Sequence, residues 1–418
     1  MKWIQKNWGK MAVFFLLGIV LTVAADAVAI PKAMAAPKAP QYSLSPKSGT
    51  ILQAVPDRGI APKEGSAPRA DITGESPTTG LPWQGDYQPM LVQISNAPGT
   101  ARVQGRDIKA AGIGKTAPWG VQHADIAYEG MLFSGSTRFA FLFSDCFAMG
   151  QPASGVGPVR STRREWLALR EEWQAGFVHS GGYGGTFGWR DVKTAEMLEQ
   201  TGASAQGVLF NLLGERYQAL KHRVQGVKAP DNFHADIAGI RELIPAAHTA
   251  RPRPFRFADE NPYVDGYAPA KTIHLDWGGK AYISHFQYDE ERAAYLRFCG
   301  TGMDETKWTP FRAFADVDDR SEENMVLLAS ENVIIQRVAY SYASERAMTA
   351  DVQTIGQGNA DIFIGGRYIP GYWVRKSIEE PTVFYDDLGQ ELRLMRGKTF
   401  IALFPTEGLC VFEDGGQP

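Results

Sequence analysis

The densest set of chemically capable side chains lies in Gly155-Val156-Gly157-Pro158-Val159-Arg160-Ser161-Thr162-Arg163-Arg164-Glu165. Thr162 and Glu165 stand at capping-box spacing, which predicts a helix capped by Thr162 and starting at Arg163. The first turn of a helix carries about half a positive charge and favours acidic residues. Here Arg163 and Arg164 occupy it and Arg160 precedes it, so cations crowd the end that repels them. An anion relieves that repulsion. Backbone N–H groups, a glycine-rich approach and forked guanidinium groups suit phosphate or carboxylate. Arg138, from a neighbouring predicted strand, completes a ligand-binding set of Arg138, Arg160, Ser161, Arg163 and Arg164. The competing reading is a structural ion-pair network with Asp125 or Glu129. No Gly-Lys-Ser/Thr follows the glycines, so the segment is not a P-loop.

Three further residues have the right type for catalysis. Asp125 and Glu129 are four apart and share a face if extended, where paired carboxylates hold a divalent cation or act as acid and base. The alternative is simple pairing with the arginines, and no third ligand stands at metal-like spacing. His179 ends an apolar run and precedes Ser180-Gly181-Gly182-Tyr183-Gly184-Gly185, a loop that lets a ligand approach the backbone. Gly-x-Ser-x-Gly is absent, and no His and Cys spacing suggests zinc. The catalytic candidates are Asp125, Glu129 and His179; no metal and no cofactor is expected.

These residues need elements to position them. Strands are predicted at 90–96, 124–130, 137–144 and 176–182, and helices at 162–174, 191–200 and 235–244. Trp166, Leu169 and Trp173 recur at helical spacing. Alternating strands and helices from Leu81 to Tyr267 predict an α/β layered domain. From Ala268 to Pro418 the pattern changes to short β-rich runs between turns, a smaller, mostly antiparallel β domain. The fold class is thus α+β. Gly356-Gln357-Gly358 lacks a following helix and reads as a hairpin or bulge, not a dinucleotide fingerprint. Tyr368, Tyr372 and Trp373 read as core rather than a sugar-stacking face.

The remaining stretches set the compartment. Lys2, Lys6 and Lys10 precede an apolar run from Met11 to Ala25, 15 residues and short of a bilayer span. Ala33-Met34-Ala35 supplies the small residues of a cleavage site, which predicts a signal peptide over 1–35 cut after Ala35; an uncleaved anchor is the alternative. Eight prolines in 36–82 suggest an extended tether over 36–80. Lys plus Arg is 43 against Asp plus Glu 46, which argues against a nucleic-acid binder. Removing residues 1–35 deletes four Lys and one Asp, moving the net charge from −3 to −6. The three cysteines, Cys146, Cys299 and Cys410, read as buried free thiols, with a Cys299–Cys410 bridge as the other possibility.

The stretch from Gly80 to Pro405 resembles the YerB-like family of exported bacterial proteins, which carry two adjoining domains of unknown function. The resemblance rests on Asn96-Ala97-Pro98-Gly99, Ala124-Asp125-Ile126-Ala127-Tyr128-Glu129, Thr137-Arg138-Phe139, Gly157-Pro158-Val159-Arg160-Ser161-Thr162-Arg163 and Val178-His179-Ser180-Gly181-Gly182. Asn332-Val333-Ile334-Ile335, Gly356-Gln357-Gly358 and Gly371-Tyr372-Trp373 follow in the same order. Family members are usually lipoproteins, whereas this chain lacks the lipid-accepting Cys, and Asp231-Asn232 stands where the family tends to place His-Asn. The resemblance implies architecture and location but no reaction. The resulting expectation is an exported, periplasmic or envelope-associated, non-catalytic protein. It would bind an anionic small molecule, a cell-wall polymer or an envelope protein partner, touching the membrane only through its signal segment. The alternative is an enzyme acting on lipid-linked or polymeric phosphate in cell-wall assembly.

Overall fold

Strand periodicity decides how the layers form. A computed structural model describes residues 41–63, 74–133, 135–149, 155–182, 192–203, 205–253, 255–342 and 350–415. The signal segment and the Tyr183-Gly184-Gly185 part of the glycine loop lie outside the described residues. The described residues belong to one compact unit, Ala39–Tyr342 with Met348–Pro418.

In chain order the strands of the two main sheets begin with β1 (Thr50–Leu52), β2 (Met90–Ser95), β3 (Ile126–Phe133), β4 (Ser136–Phe143), β5 (Gly176–His179) and β6 (Leu209–Asn211). There follow β7 (Ala268–Pro269), β8 (Thr272–Asp276), β9 (Ile283–Asp289), β10 (Ala294–Gly300), β11 (Trp308–Pro310) and β12 (Ala329–Ser330). The last are β13 (Asn332–Val338), β14 (Gly356–Ile364), β15 (Arg367–Arg375), β16 (Val383–Tyr385), β17 (Thr399–Pro405) and β18 (Leu409–Glu413). The described helices are α1 (Asp145–Ala148), α2 (Arg164–Trp173), α3 (Val192–Thr201) and α4 (Ile237–Arg241), all before residue 268.

Eleven strands form one mixed sheet in the order β7-β15-β14-β13-β17-β3-β4-β2-β5-β6, with β16 beside β15. A seven-stranded sheet runs β1-β18-β8-β9-β10-β11, with β12 beside β10. Successive side chains of the large sheet point to opposite faces. Val92, Phe139, Phe141, Val333, Ile335, Phe400 and Phe404 pack in the same core as Ile273, Leu275, Phe286 and Phe412 of the smaller sheet. Leu91, Ala140, Leu142, Ile334, Ile401 and Leu403 point the other way, into a core shared with α2. Trp166, Leu169 and Trp173 are all buried there, as their spacing predicts. A fully buried large apolar side chain contributes roughly 1.5–3 kcal/mol, against about 1 kcal/mol for a cap, so burial of this face holds α2 in place.

The fold is a β-rich α+β fold with two domains, and the N-terminal domain is itself mostly sheet. One sequence expectation is corrected. The described part of 36–80 is not a free tether. β1 pairs with β18, the Leu44 amide donates to Asp276 Oδ2 at 2.8 Å, and Arg58 donates to the Ala360 carbonyl at 2.7 Å. Its attachment runs mainly through backbone groups, hydroxyls and the Arg58 guanidinium, which leave no apolar period in the sequence. The main sheet draws strands from both sides of Tyr267, because β17 lies between β3 and β13, parallel to both. Gly356 opens β14, which turns directly into β15, so the glycines belong to a hairpin. Tyr368, Tyr372 and Trp373 are core residues, and all three cysteines are buried and outside any disulfide.

Candidate anion site

The arginine segment enters α2 from the end of the large sheet. Beyond Val92, β2 has no β5 partner and pairs instead with the incoming chain. Ser95 N–H donates to the Pro158 carbonyl and Arg160 N–H to the Gln93 carbonyl, each at 2.9 Å. Gly157 is required here, because a Cβ would fall 2.3 Å from the Trp119 ring. Gly182 is required too: its φ is +116°, and a Cβ would sit 2.4 Å from the Thr162 carbonyl oxygen.

α2 starts one residue later than its capping pattern predicts. Arg163, not Thr162, is the N-cap, and no side chain caps the helix. The Thr162 N–H donates to the Gly181 carbonyl at 3.0 Å, so it has nothing to offer Glu165. Glu165 instead points inward, 3% exposed, with Oε2 buried and making no hydrogen bond. Burial pushes its carboxyl up to about 7, against the pull of Arg163, Arg164 and Arg138.

Arg138 lies on β4 opposite Ser95 and Gly130. It is 6% exposed, and its Nη1 donates to the Ser161 carbonyl at 2.6 Å. Its Nε is buried without a hydrogen-bond partner. Burial, and then the charges of Arg163 and Arg160, depress its pKa well below the usual guanidinium range. Arg160 Nε lies 3.5 Å from Asp231 Oδ1, a carboxylate also held by the Ser95 hydroxyl at 2.5 Å. Arg163 Nη1 donates to the Thr162 carbonyl at 2.6 Å. Tyr282 borders the group: burial, with Asp231 and Glu129 adding and Arg138 opposing, pushes its phenol up to about 12. It therefore remains a donor at neutral pH.

The structure thus brings Arg138, Arg160 and Arg163 together, with Ser161 contributing its carbonyl. Arg164 leaves the group and pairs with Asp351, at the wall of a cavity of about 290 Å³ lined also by Glu196, Met197, Gln200 and residues 352–355. The expected pairing of the arginines with Asp125 or Glu129 is corrected. Asp231 and Asp351 take Arg160 and Arg164, while Glu129 is bound at 2.8 Å by Arg297 of β10.

The three catalytic candidates do not meet. Four residues of extended chain separate Asp125 from Glu129 by about 13 Å. Glu129 accepts from Asn96 at 3.1 Å and Thr137 at 2.6 Å besides Arg297, between the two sheets. Asp125 immediately precedes β3, five residues before Gly130, the residue facing Arg138; its Oδ2 accepts from Thr78 Oγ1 at 2.9 Å and Asp145 N–H at 3.1 Å. Burial and the adjacent Asp145 push Asp125 up to about 8. His179 Nδ1 lies 3.0 Å from the Gly181 carbonyl, and burial lowers it to about 4, so it is neutral and holds its own turn. Among the described residues no three His, Cys, Asp or Glu side chains are grouped to hold a metal. Sequence reasoning missed Asp231, Tyr282, Asp145 and Arg297. Of these only Asp231 had a local signal, standing where the resembled family tends to have His.

Fold and site together define a two-domain, β-rich α+β protein with a cationic cluster at one end of its main sheet. The N-terminal domain of a protein family of unknown function (DUF3048) matches residues 109–250, and the family's C-terminal domain matches 273–401. Together they cover about two thirds of the chain, which belongs to this family. The crystal structure of the YerB protein from Bacillus subtilis is similar, with a TM-score of 0.57 at 21% identity, over 78% of this chain and 95% of that one. That likeness concerns the fold. No curated protein matches the chain.

Proposed function

We propose that this is an exported cell-envelope protein that binds an anionic ligand through Arg138, Arg160 and Arg163, without catalysing a reaction. The observation that carries the reading is the gathering of Arg160 and Arg163 around Arg138, a buried arginine whose Nε makes no hydrogen bond. Glu165 offsets them only in part, since its acid is half protonated near neutral pH. Burial makes uncompensated charge costly, and a bound anion removes that cost. Glu129 is already held by Arg297, Asn96 and Thr137, and His179 is a neutral imidazole bonded to its own turn, which supports binding rather than chemistry. The lysine-flanked apolar run and Ala33-Met34-Ala35 support export.

Thermal melting with added phosphate tests the reading. Binding to the native state alone adds RT ln(1 + [L]/Kd), about 2.7 kcal/mol at a hundredfold excess over Kd. Phosphate is expected to raise the melting temperature of residues 36–418. The double variant Arg160→Gln/Arg163→Gln should lose that rise while its ligand-free melting temperature stays within a degree or two. A large ligand-free loss with no phosphate effect overturns the proposal.

A further inference from the structure

The anion site carries a finer inference, which rests on the reading just given. We infer that it takes a terminal phosphate group rather than a carboxylate, and that Asp231 is a built-in counter-ion which weakens binding and so sets its selectivity. The arms of the site come from different directions: Arg138 from β4, Arg160 from the strand-to-helix connection, Arg163 from the helix start and Tyr282 from the turn before β9. A planar carboxylate offers two oxygens in one plane and one charge. A tetrahedral phosphate offers three peripheral oxygens and up to two charges, which matches several donor arms better. Arg138 supplies the independent sign of a missing partner, because it is buried and its Nε has none.

Asp231 occupies part of this space. Its Oδ1 receives the Ser95 hydroxyl at 2.5 Å and stands 3.5 Å from Arg160 Nε, an ion pair without a hydrogen bond at that nitrogen. A carboxylate in that place satisfies part of the positive charge and repels an arriving anion. A singly charged ligand then gains little over Asp231 itself, while a doubly charged one still gains. Selectivity for the higher charge follows from the residue that competes with it.

Isothermal titration of residues 36–418 at fixed ionic strength tests this, with inorganic phosphate and acetate as the paired probes. Phosphate is expected to bind at least tenfold more tightly than acetate. Asp231→Asn should tighten both and narrow the gap between them to a few fold; Arg160→Gln should weaken phosphate at least tenfold. If Asp231→Asn melts early, Asp231→Ser gives the same comparison. Glycerol 3-phosphate and pyrophosphate, run in parallel, separate a monoester source from a diphosphate source. Acetate binding as tightly as phosphate, or weaker phosphate binding by both Asp231 variants, overturns the inference while leaving an anion site in place. No binding of any probe overturns the site and the inference together.

Discussion

Replacing Asp125 by Asn should make the protein more stable at pH 8 and remove most of one pH dependence. The side chain is buried, beside a second carboxylate, and its acid is pushed up to about 8 by burial first and by Asp145 second. In the unfolded chain an Asp titrates near 3.9. Between those values the native state holds a proton that the unfolded state has released, so stability falls as pH rises from about 4 to about 8 and levels off above. A tenfold change in acidity between the two states is worth about 1.4 kcal/mol, so the swing is on the order of a few kcal/mol. The Asp125→Asn side chain would keep an acceptor for Thr78 and the Asp145 N–H but would carry no charge at any pH. Urea midpoints at pH 5, 6, 7 and 8 on both proteins read the effect. The wild-type midpoint should fall across the series relative to Asp125→Asn, and the curves should cross so that the variant leads at pH 8. Parallel curves would refute the account of this carboxylate pair.

Removing Arg297 should be costly for a different reason, since Arg297→Ala leaves Glu129 buried between the sheets with only neutral donors; a loss of about 3–5 kcal/mol is expected from urea denaturation. The shared sheet predicts that residues 268–418, expressed alone, will not melt cooperatively, because β17 would lose β3 and expose the core it shares with the first domain; adding residues 41–267 should restore a sharp transition by circular dichroism. Intact-mass measurement of protein from the envelope fraction should give a chain beginning at Ala36, and recovery of the full-length chain in the membrane would mean an uncleaved anchor.

Local pattern carries much of the fold. The runs around Met90, Ile126 and Thr399 alternate cleanly between two cores, and Trp166, Leu169 and Trp173 mark one helix face. What local pattern does not hold is long-range pairing. Nothing in 399–405 announces that it lies between β3 and β13, so the change of pattern near residue 267 reads as a boundary between separate layers. The 36–80 segment misleads for a related reason. Ser76, Thr78 and Thr79 dock through hydroxyls onto Asp145, a contact that produces no apolar period. The capping-box spacing at Thr162 and Glu165 is present, but Gly181 takes the amide that the box needs. At the site, crowded arginines are visible because they violate the helix-end preference. Asp231 and Tyr282 are not, because they arrive from distant parts of the chain.

A crystal soaked in tungstate tests most directly whether a bound anion bridges Arg138, Arg160 and Arg163. The anomalous difference map should show its strongest peak among those three guanidinium groups, with the Asp231 carboxylate moved off Arg160. A map with no peak there, and Asp231 still beside Arg160, would contradict the account.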